Sequence, residues 1–242
     1  MTALAKFLIT LILSVFLVGC NFNLQIDPGV KGNGNVQTEE RIVNQDFSSI
    51  KASNGLDVYI TQSTDNLVKV QADENLLEII KTEVVNGCLE IYTTEKIDKS
   101  ESKKILVNFT DINAIKASSA SHVAATNILN TEKLSLQASS AATVKLTAEV
   151  TNISCKASSA ATIKLNGKTN YIEAKASSAS TINAKNMLAE NCLTDASSAS
   201  SINVNCTSSI DAESSSASSI RYSGNPANVQ KDNSSAGSIK AY

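Results

Sequence analysis

A short phrase of small residues recurs through the second half of the chain at a nearly constant interval. Its seven copies begin at residues 117, 138, 157, 176, 196, 214 and 233, and the first five read Ala-Ser-Ser-Ala followed by Ser or Ala. Successive copies therefore stand 18 to 21 residues apart. A fixed period near 20 residues is typical of solenoids, in which each unit buries its apolar side only against its neighbours.

Apolar and polar residues alternate on both sides of each phrase. Six positions after each start there is an unbroken β-branched column: Val123, Val144, Ile163, Ile182, Ile202, Ile220 and Ile239. Apolar residues two apart indicate strands rather than a helix. Each repeat therefore predicts two short strands flanking a small-residue corner, closed by a looser turn such as Asn166-Gly167-Lys168. We predict an all-β fold, a single-chain parallel β-helix of about 19–20 residues per coil, with coils about 4.8 Å apart.

The position just before each phrase carries charge. In chain order it holds Lys116, Gln137, Lys156, Lys175, Asp195, Glu213 and Asp232. Stacking would place Lys156 beside Lys175, with mild repulsion, and Lys175 beside Asp195, with attraction. The simplest interpretation is a solvated ladder; the alternative is a face for a charged polymer.

The first 20 residues have the pattern of a bacterial export signal. Lys6 precedes an apolar run from Phe7 to Val18, which is too short to span a membrane as a mature helix. The run ends in Leu17-Val18-Gly19-Cys20, which resembles the lipobox, where the cysteine receives a diacylglycerol and becomes the mature N-terminus. We therefore expect a lipid on Cys20 and a location in the bacterial cell envelope, with the outer membrane favoured. An ordinary signal peptide with an incidental cysteine is the alternative.

Three further regions follow the predicted signal peptide of residues 1–20. Residues 21–37 contain several Gly and Asn and predict a flexible tether. Residues 38–110 predict a less regular β region, including a hairpin turn at Asn86-Gly87, that caps the solenoid. Residues 111–242 form the predicted repeat β-helix.

Four segments, together with the Ser-rich corners, make the chain similar to the DUF2807 family of auto-transporter adhesin head GIN domains. They are Phe47–Ile50, Gly55–Gln62, Val70–Asn75 and Asn86–Ile91. The resemblance implies an envelope-anchored β-helix, common in lipoproteins, and it brings no catalytic residues. Members of that family carry Ser-Gly-Ser-Gly at the corners. Because this chain has Ala-Ser-Ser-Ala, we expect left-handed backbone to be less frequent at its corners.

Candidate chemistry is sparse. The single histidine, His122, occupies a column that elsewhere holds Thr or Ser, which predicts an outward polar position. Stacking would bring Glu173 near Asp195, or Asp211 near Glu213, and paired carboxylates of this kind cleave polysaccharides in glycosidases. A formal charge of −2 without a dense basic patch argues against a nucleic-acid partner. No metal site or cofactor is predicted.

Four cysteines remain besides Cys20. Cys155 and Cys192 fall in inward columns, Cys206 falls in a predicted turn and Cys88 in the cap. We expect mostly buried thiols, with a Cys192–Cys206 disulfide as the alternative. The spacing contains no CxxC pair or Cys/His cluster that would bind a metal.

These features favour a non-enzymatic envelope lipoprotein that serves as an adhesion or scaffolding module. Its expected partners are the membrane, through the lipid, and a glycan or another envelope protein. The alternative from another functional class is a polysaccharide-active β-helix enzyme. The final coil also predicts an open edge lined by Tyr222, Ile239 and Tyr242, which would allow end-to-end self-association.

Overall fold

The computed structural model describes residues 28–43 and 45–242, and the lipid-attachment candidate Cys20 lies outside these ranges. Its strands are β1 Val36–Arg41, β2 Ser49–Ala52, β3 Asp57–Gln62, β4 Leu67–Asp73, β5 Ile80–Val85, β6 Cys88–Thr93, β7 Lys103–Phe109, β8 Ala114–Ala117, β9 His122–Ala138, β10 Thr143–Ala157, β11 Thr162–Ala176, β12 Thr181–Ala196, β13 Ser201–Ser214, β14 Ser219–Ser223, β15 Asn228–Asn233 and β16 Ser238–Ala241. A 3-10 helix covers Glu74–Leu76. The described ranges contain no helix with the length and apolar character needed to cross a membrane.

The predicted parallel β-helix is confirmed. Strands β9 to β13 stack in parallel, and the β-branched column pairs in register, as Val144 with Ile163 and Ile163 with Ile182. These side chains are buried in one continuous core. Burying each one contributes about 1.5–3 kcal/mol, so the column is a main source of stability.

Each of these strands bends without breaking where a looser turn was predicted. Strand β11 runs through Asn166-Gly167-Lys168, and all three residues pair with β10. Gly167 has a φ of 112°, and a Cβ there would overlap with the carbonyl oxygen of Ala148. The predicted turn is therefore a bend inside the ladder, made possible by a residue without a side chain.

Each corner turns the chain through two consecutive residues with left-handed backbone. At Ser159 and Ala160 φ is 52° and 60°, and the equivalent Ser-Ala pair of each of the other six copies also has positive φ. Two positive φ values in succession define the type I′ turn, which favours Gly, Asn and Asp. The expectation that Ala and Ser would make left-handed backbone less frequent here is therefore wrong.

Hydrogen bonds within and between corners explain why this backbone forms without glycine. The Ala160 N–H donates to the Ser178 carbonyl of the next coil at 3.0 Å, and the Ala161 N–H closes the turn on the Ser158 carbonyl at 3.1 Å. Hydroxyl groups of Ser121, Ser180, Ser200 and Ser218 each donate to an alanine carbonyl of the preceding coil at 2.7–3.1 Å. A left-handed alanine costs about 1–2 kcal/mol, and each hydrogen bond contributes about 0.5–1.5 kcal/mol net. The stack therefore offsets the strain of its own corners.

Two coils of the solenoid come from the region that we predicted to be only a cap. Strands β2 and β3 stack in parallel on β8 and β9, with Ala52 opposite Ala117. Asn54 and Gly55 have φ of 60° and 69°, so Ala52-Ser53-Asn54-Gly55 is a further corner. Strands β6 and β7 form another coil on the far side of β2 and β3. The order of coils therefore differs from the order of the chain.

Antiparallel strands cover this end of the stack. Strand β5 pairs with β6 through the predicted Asn86-Gly87 hairpin, β4 pairs with β7, and β1 pairs with β4. The buried carboxylate of Asp73, at the end of β4, accepts hydrogen bonds from the Gly34 N–H at 2.9 Å and the Ser102 N–H at 2.9 Å. It also accepts from the Glu101 N–H at 3.1 Å. Asp73 thus joins three segments of the cap.

The tether predicted for residues 21–37 is wrong over residues 30–37. The Asn33 N–H donates to Asn75 Oδ1 at 2.9 Å, and the Val30 N–H donates to the Lys96 carbonyl at 2.7 Å. The glycine-rich composition here permits close contact with the cap rather than free movement. Residues 21–27 lie outside the described ranges.

The final coil is formed by β15 and β16. Tyr222 is buried beneath it, with the Lys231 ammonium 4.8 Å from its ring centre, so Tyr222 does not line the open edge as predicted. Tyr242 is 60% exposed and Val229 is 44% exposed.

Replacing a left-handed alanine by glycine tests the account of the corners. We expect Ala179→Gly to stabilise the protein by about 0.5 kcal/mol, because relief of about 1–2 kcal/mol of strain exceeds an entropic cost of about 0.4–1 kcal/mol. The buried strand residue Ala174 is the matched control, and Ala174→Gly is expected to destabilise. Urea midpoints measure both. A loss of stability in Ala179→Gly equal to that of the control would contradict the account.

Acid sensitivity of the cap tests the role of Asp73. Burial alone raises a carboxyl pKa, but the N–H groups of Ser102, Gly34 and Glu101 hold the pKa of Asp73 below its ordinary value. The contribution of Asp73 to stability is therefore complete above about pH 4, its pKa in the unfolded chain. This contribution is lost as the pH falls through the lower pKa that Asp73 has in the folded protein.

We expect Asp73→Asn to lose about 1–3 kcal/mol at pH 7 and to flatten the acid side of the stability profile. The exposed Asp65 supplies the control, Asp65→Asn. Urea midpoints between pH 7 and pH 2, followed by circular dichroism, measure both variants. An unchanged acid profile in Asp73→Asn would rule out this role.

Candidate functional surface

The charged column before each corner stacks as predicted and continues onto the N-terminal coils. Lys116 pairs in register with both Lys51 and Gln137, and the column continues through the remaining predicted residues to Asp232. We call the set Lys51, Lys116, Gln137, Lys156, Lys175, Asp195, Glu213 and Asp232 the mixed-charge ladder. Its first half is basic and its second half is acidic.

A groove of about 530 Å³ runs along the basic half of this ladder. Besides six ladder residues, Lys51 to Asp195, it is lined by the small residues Ala117, Ser118, Ala138, Ser139, Ala157, Ser158, Ala176, Ser177 and Ser197. The small residues of the stacked corners leave room beside the longer ladder side chains. The groove is thus a direct product of the repeat.

Ion pairs neutralise both ends of the basic half. Lys51 Nζ lies 3.1 Å from Glu90, and Lys175 Nζ lies 2.7 Å from Glu173 Oε1. The hydrogen bond to Glu173 raises the pKa of Lys175, with a smaller contribution from Asp195. The same bond, aided by the Ser154 hydroxyl at 3.1 Å, lowers the pKa of Glu173.

The predicted stacking and attraction of Lys175 and Asp195 are confirmed, but the short ion pair of Lys175 is made elsewhere. Lys175 makes its short contact with Glu173, because residues two apart on a strand share one face. Asp195 pairs in register with Glu213, a like charge, and is exposed.

The predicted carboxylate pairs do not assemble a polysaccharide-cleaving site. Of Glu173, Asp195, Asp211 and Glu213, only Asp195 lines the groove of the mixed-charge ladder, and only Asp211 lines a separate groove of about 710 Å³, so neither predicted pair shares a groove. Another groove, at the bend of the coils, holds Glu149, Glu190 and Lys168. A glycosidase needs a general acid in surroundings that favour its protonated form. Glu149 instead lies 3.0 Å from the Lys168 ammonium, with 41% of its side chain exposed.

The remaining candidates occupy structural positions. His122 pairs in register with Thr143 and packs edge-on against Tyr59, with ring centres 6.5 Å apart. It therefore belongs to the outward polar column, as predicted. Within the described ranges, no group of three or more His, Cys, Asp or Glu side chains is placed to hold a metal ion.

The cysteines divide into a bridged pair and two thiols. Cys192 and Cys206 form a disulfide with their Cα atoms 6.2 Å apart, and Cys206 lies buried within β13 rather than in the predicted turn. Cys155 is a buried thiol whose pKa is raised by burial. Cys88 is half-buried.

Solved structures share this fold. An adhesin described as putative from Bacteroides fragilis aligns with a TM-score of 0.83 at 22% identity, covering 88% of this chain and 100% of that one. A putative adhesin from Parabacteroides merdae aligns with a TM-score of 0.73 at 22% identity, covering 88% and 98%. A putative lipid binding protein from Parabacteroides distasonis aligns with a TM-score of 0.72 at 22% identity, covering 88% and 99%. At this level of identity the likeness establishes the fold alone.

Family membership comes from the sequence. No curated protein matches the chain. The family profile described as putative auto-transporter adhesin, head GIN domain, matches residues 46–226, about three quarters of the chain. This range contains the segments that carry the resemblance, together with the first six copies of the Ser-rich phrase. The chain belongs to the DUF2807 family.

Proposed function

We propose that this protein is a non-enzymatic envelope lipoprotein that acts as an adhesion or scaffolding module. The observation that carries the proposal is the stacking of outward side chains into columns that continue from coil to coil. Such a surface repeats one weak contact many times, which suits a polymeric glycan or an envelope protein. Many weak contacts on one molecule combine into strong attachment. The description of the family as adhesins supports the same function.

The lipid on Cys20 would hold the solenoid close to the membrane. Pro28, the first described residue, is eight residues beyond Cys20, so the two are at most about 28 Å apart. From Val30 onward the chain is bonded to the cap. The cap would therefore face the membrane, with the later coils extending away from it. The Cys192–Cys206 disulfide fits an oxidising compartment outside the cytoplasm.

Fractionation of Cys20→Ser cells tests the anchor. The thioether-linked lipid needs the Cys20 thiol, so the variant is expected to leave the membrane fraction while wild type stays there. Cys88→Ser, which changes a half-buried thiol elsewhere in the chain, is the control and is expected to remain membrane-bound. Membrane retention of Cys20→Ser would contradict lipid anchoring.

Protease treatment of intact cells tests adhesion against scaffolding. Adhesion requires the solenoid to be exposed, so we expect external protease to remove the protein from blots of whole cells. Protection until the outer envelope is lysed would contradict adhesion and favour a scaffolding role inside the envelope.

Self-association would increase the number of contacts. The outer edges of β15 and β16 pair with no further strand among the described residues, and exposed backbone edges favour pairing with another chain. We expect the molar mass from light scattering to rise with concentration. A strict monomer at high concentration would exclude this association.

A further inference from the structure

The strands that follow the corners present a second surface, distinct from the mixed-charge ladder. We call the outward residues five, seven and nine positions after each phrase start, from His122 to Tyr242, the corner-following face. The positions seven after the start pair in register from coil to coil, as Lys145 with Lys164 and Arg221 with Lys240. The face is thus continuous along the stack of coils.

This face carries cations and no carboxylate. Its charged residues are Lys145, Lys164, Lys185, Arg221 and Lys240, and all five are exposed. Carboxylates of the repeat region are placed elsewhere on the coils: Glu173, Asp195, Asp211, Glu213 and Asp232 precede the corners, and Asp111, Glu132, Glu149 and Glu190 lie beyond the face. The nearest carboxylate of the preceding coil is Asp57, which pairs in register with His122 at the N-terminal boundary of the face.

These cations also lack ion-pair partners among the described residues. The ion pairs within 4.0 Å in those ranges involve Arg41, Lys51, Lys69, Lys168 and Lys175, none of which belongs to this face. On the mixed-charge ladder, Lys51 and Lys175 are neutralised, whereas Lys116 and Lys156 make no ion pair within 4.0 Å in those ranges. Among the described residues, the corner-following face therefore differs from the ladder in that all of its cations lack an ion pair and it carries no carboxylate.

The spacing of the cations fits an extended polyanion. Lys145 and Lys164 stand one coil apart, as do Arg221 and Lys240, and Lys185 occupies the coil after Lys164. Coils are about 4.8 Å apart, so the five charges extend over about 24 Å along the stack. One coil corresponds to about one residue of an extended sugar chain.

The uncharged side chains of the face favour a sugar polymer over other polyanions. A hydroxyl column of Thr143, Thr162, Thr181, Ser201, Ser219 and Ser238 runs beside the cations. Hydroxyl groups donate and accept hydrogen bonds, as sugar hydroxyls require. Nucleic-acid surfaces use aromatic side chains for base stacking, and membrane-binding surfaces use large apolar ones. On this face, which lies wholly within the described residues, the only aromatic or large apolar side chains are His122 at one end and Tyr242 at the other.

We infer that the corner-following face binds an acidic polysaccharide, a linear sugar polymer with carboxylate or sulfate groups, laid along the stack of coils. The inference deepens the proposed adhesion function and rests on it. Cations of the face contact the acidic groups, and the hydroxyl column contacts the sugar hydroxyls. Because the contacts repeat from coil to coil, longer chains bind more strongly.

Binding of defined polymers to the immobilised full-length protein tests the inference. The probes are dextran sulfate and polygalacturonate, which carry sulfate and carboxylate groups, with neutral dextran as the uncharged control. We expect both acidic polymers to bind, with an affinity that falls as salt is added, and neutral dextran not to bind. Binding of one acidic polymer alone also supports the inference and identifies the acidic group.

Paired variants locate the site. Lys145→Gln/Lys164→Gln removes two charges from the corner-following face, and we expect it to weaken binding about tenfold and to reduce the salt dependence. Lys156→Gln/Lys175→Gln removes the same charge from two adjacent rungs of the mixed-charge ladder. This matched control is expected to stay within about twofold of wild type, because its charges face elsewhere. Thermal melts of both variants confirm that they are folded.

Several outcomes would overturn the inference. They are failure of both acidic polymers to bind, an equal loss in the two variants, and binding confined to phosphatidylglycerol vesicles or to duplex DNA. Cell assays separate this inference from the proposed function. Cells displaying Lys145→Gln/Lys164→Gln that adhere as well as wild type would overturn the inference and leave adhesion intact. Wild-type cells that do not adhere, although the purified protein binds polygalacturonate, would overturn adhesion alone.

Discussion

The two left-handed residues at each corner are the constraint on which the rest of the solenoid depends. They turn the chain sharply enough for the flanking strands to share one core, and their peptide groups still bond to the next coil, as Ala160 does to Ser178. A single isolated corner of this kind is strained, whereas a stack of them is supported by hydrogen bonds on both sides. The repeat therefore stabilises a turn that its residue types disfavour.

Much of the fold could be predicted from the sequence because the register has a period of two. Once Val144 and Ile163 are assigned to the core, the residues on either side of them along each strand must point outward. The order of these outward residues along the stack then follows from the pairing of the strands. The coil formed by β2 and β3 was missed because its corner reads Ala-Ser-Asn-Gly and stands 65 residues before the next copy. Its chemistry is nevertheless the best suited to the turn, since Asn54 and Gly55 accept positive φ readily. Strands β4 to β7 intervene in the sequence and hide the period, although β2 and β3 still stack directly on β8 and β9.

Features that depend on contacts distant in sequence could not be predicted in the same way. The glycines near residue 32 have the composition of a linker, but Gly32 allows the chain to pass against the Asp73 carboxylate, where a Cβ would overlap with it. Composition cannot reveal a carboxylate about 40 residues away. The partner of Lys175 was missed for a different reason: Asp195 is its neighbour across strands, while Glu173 is its neighbour along the same strand and makes the shorter contact. The repeat places residues of one column beside each other across strands, and a pair two positions apart along one strand does not follow from it.

The distribution of charge is the feature that folding alone does not explain. The core fixes which positions face outward but not what sign they carry, and like charges opposite each other in a sheet cost about 0.2–1 kcal/mol per pair. Exchanging one lysine of the Lys145–Lys164 pair with Glu213 would remove that cost on both surfaces, since Glu213 stands between Asp195 and Asp232. The segregated arrangement thus lowers stability slightly and keeps one face free of carboxylates. The cations that repel one another in the free protein attract the acidic groups of a polymer bound on that face. These acidic groups lie between cations that have no ion-pair partner in the protein.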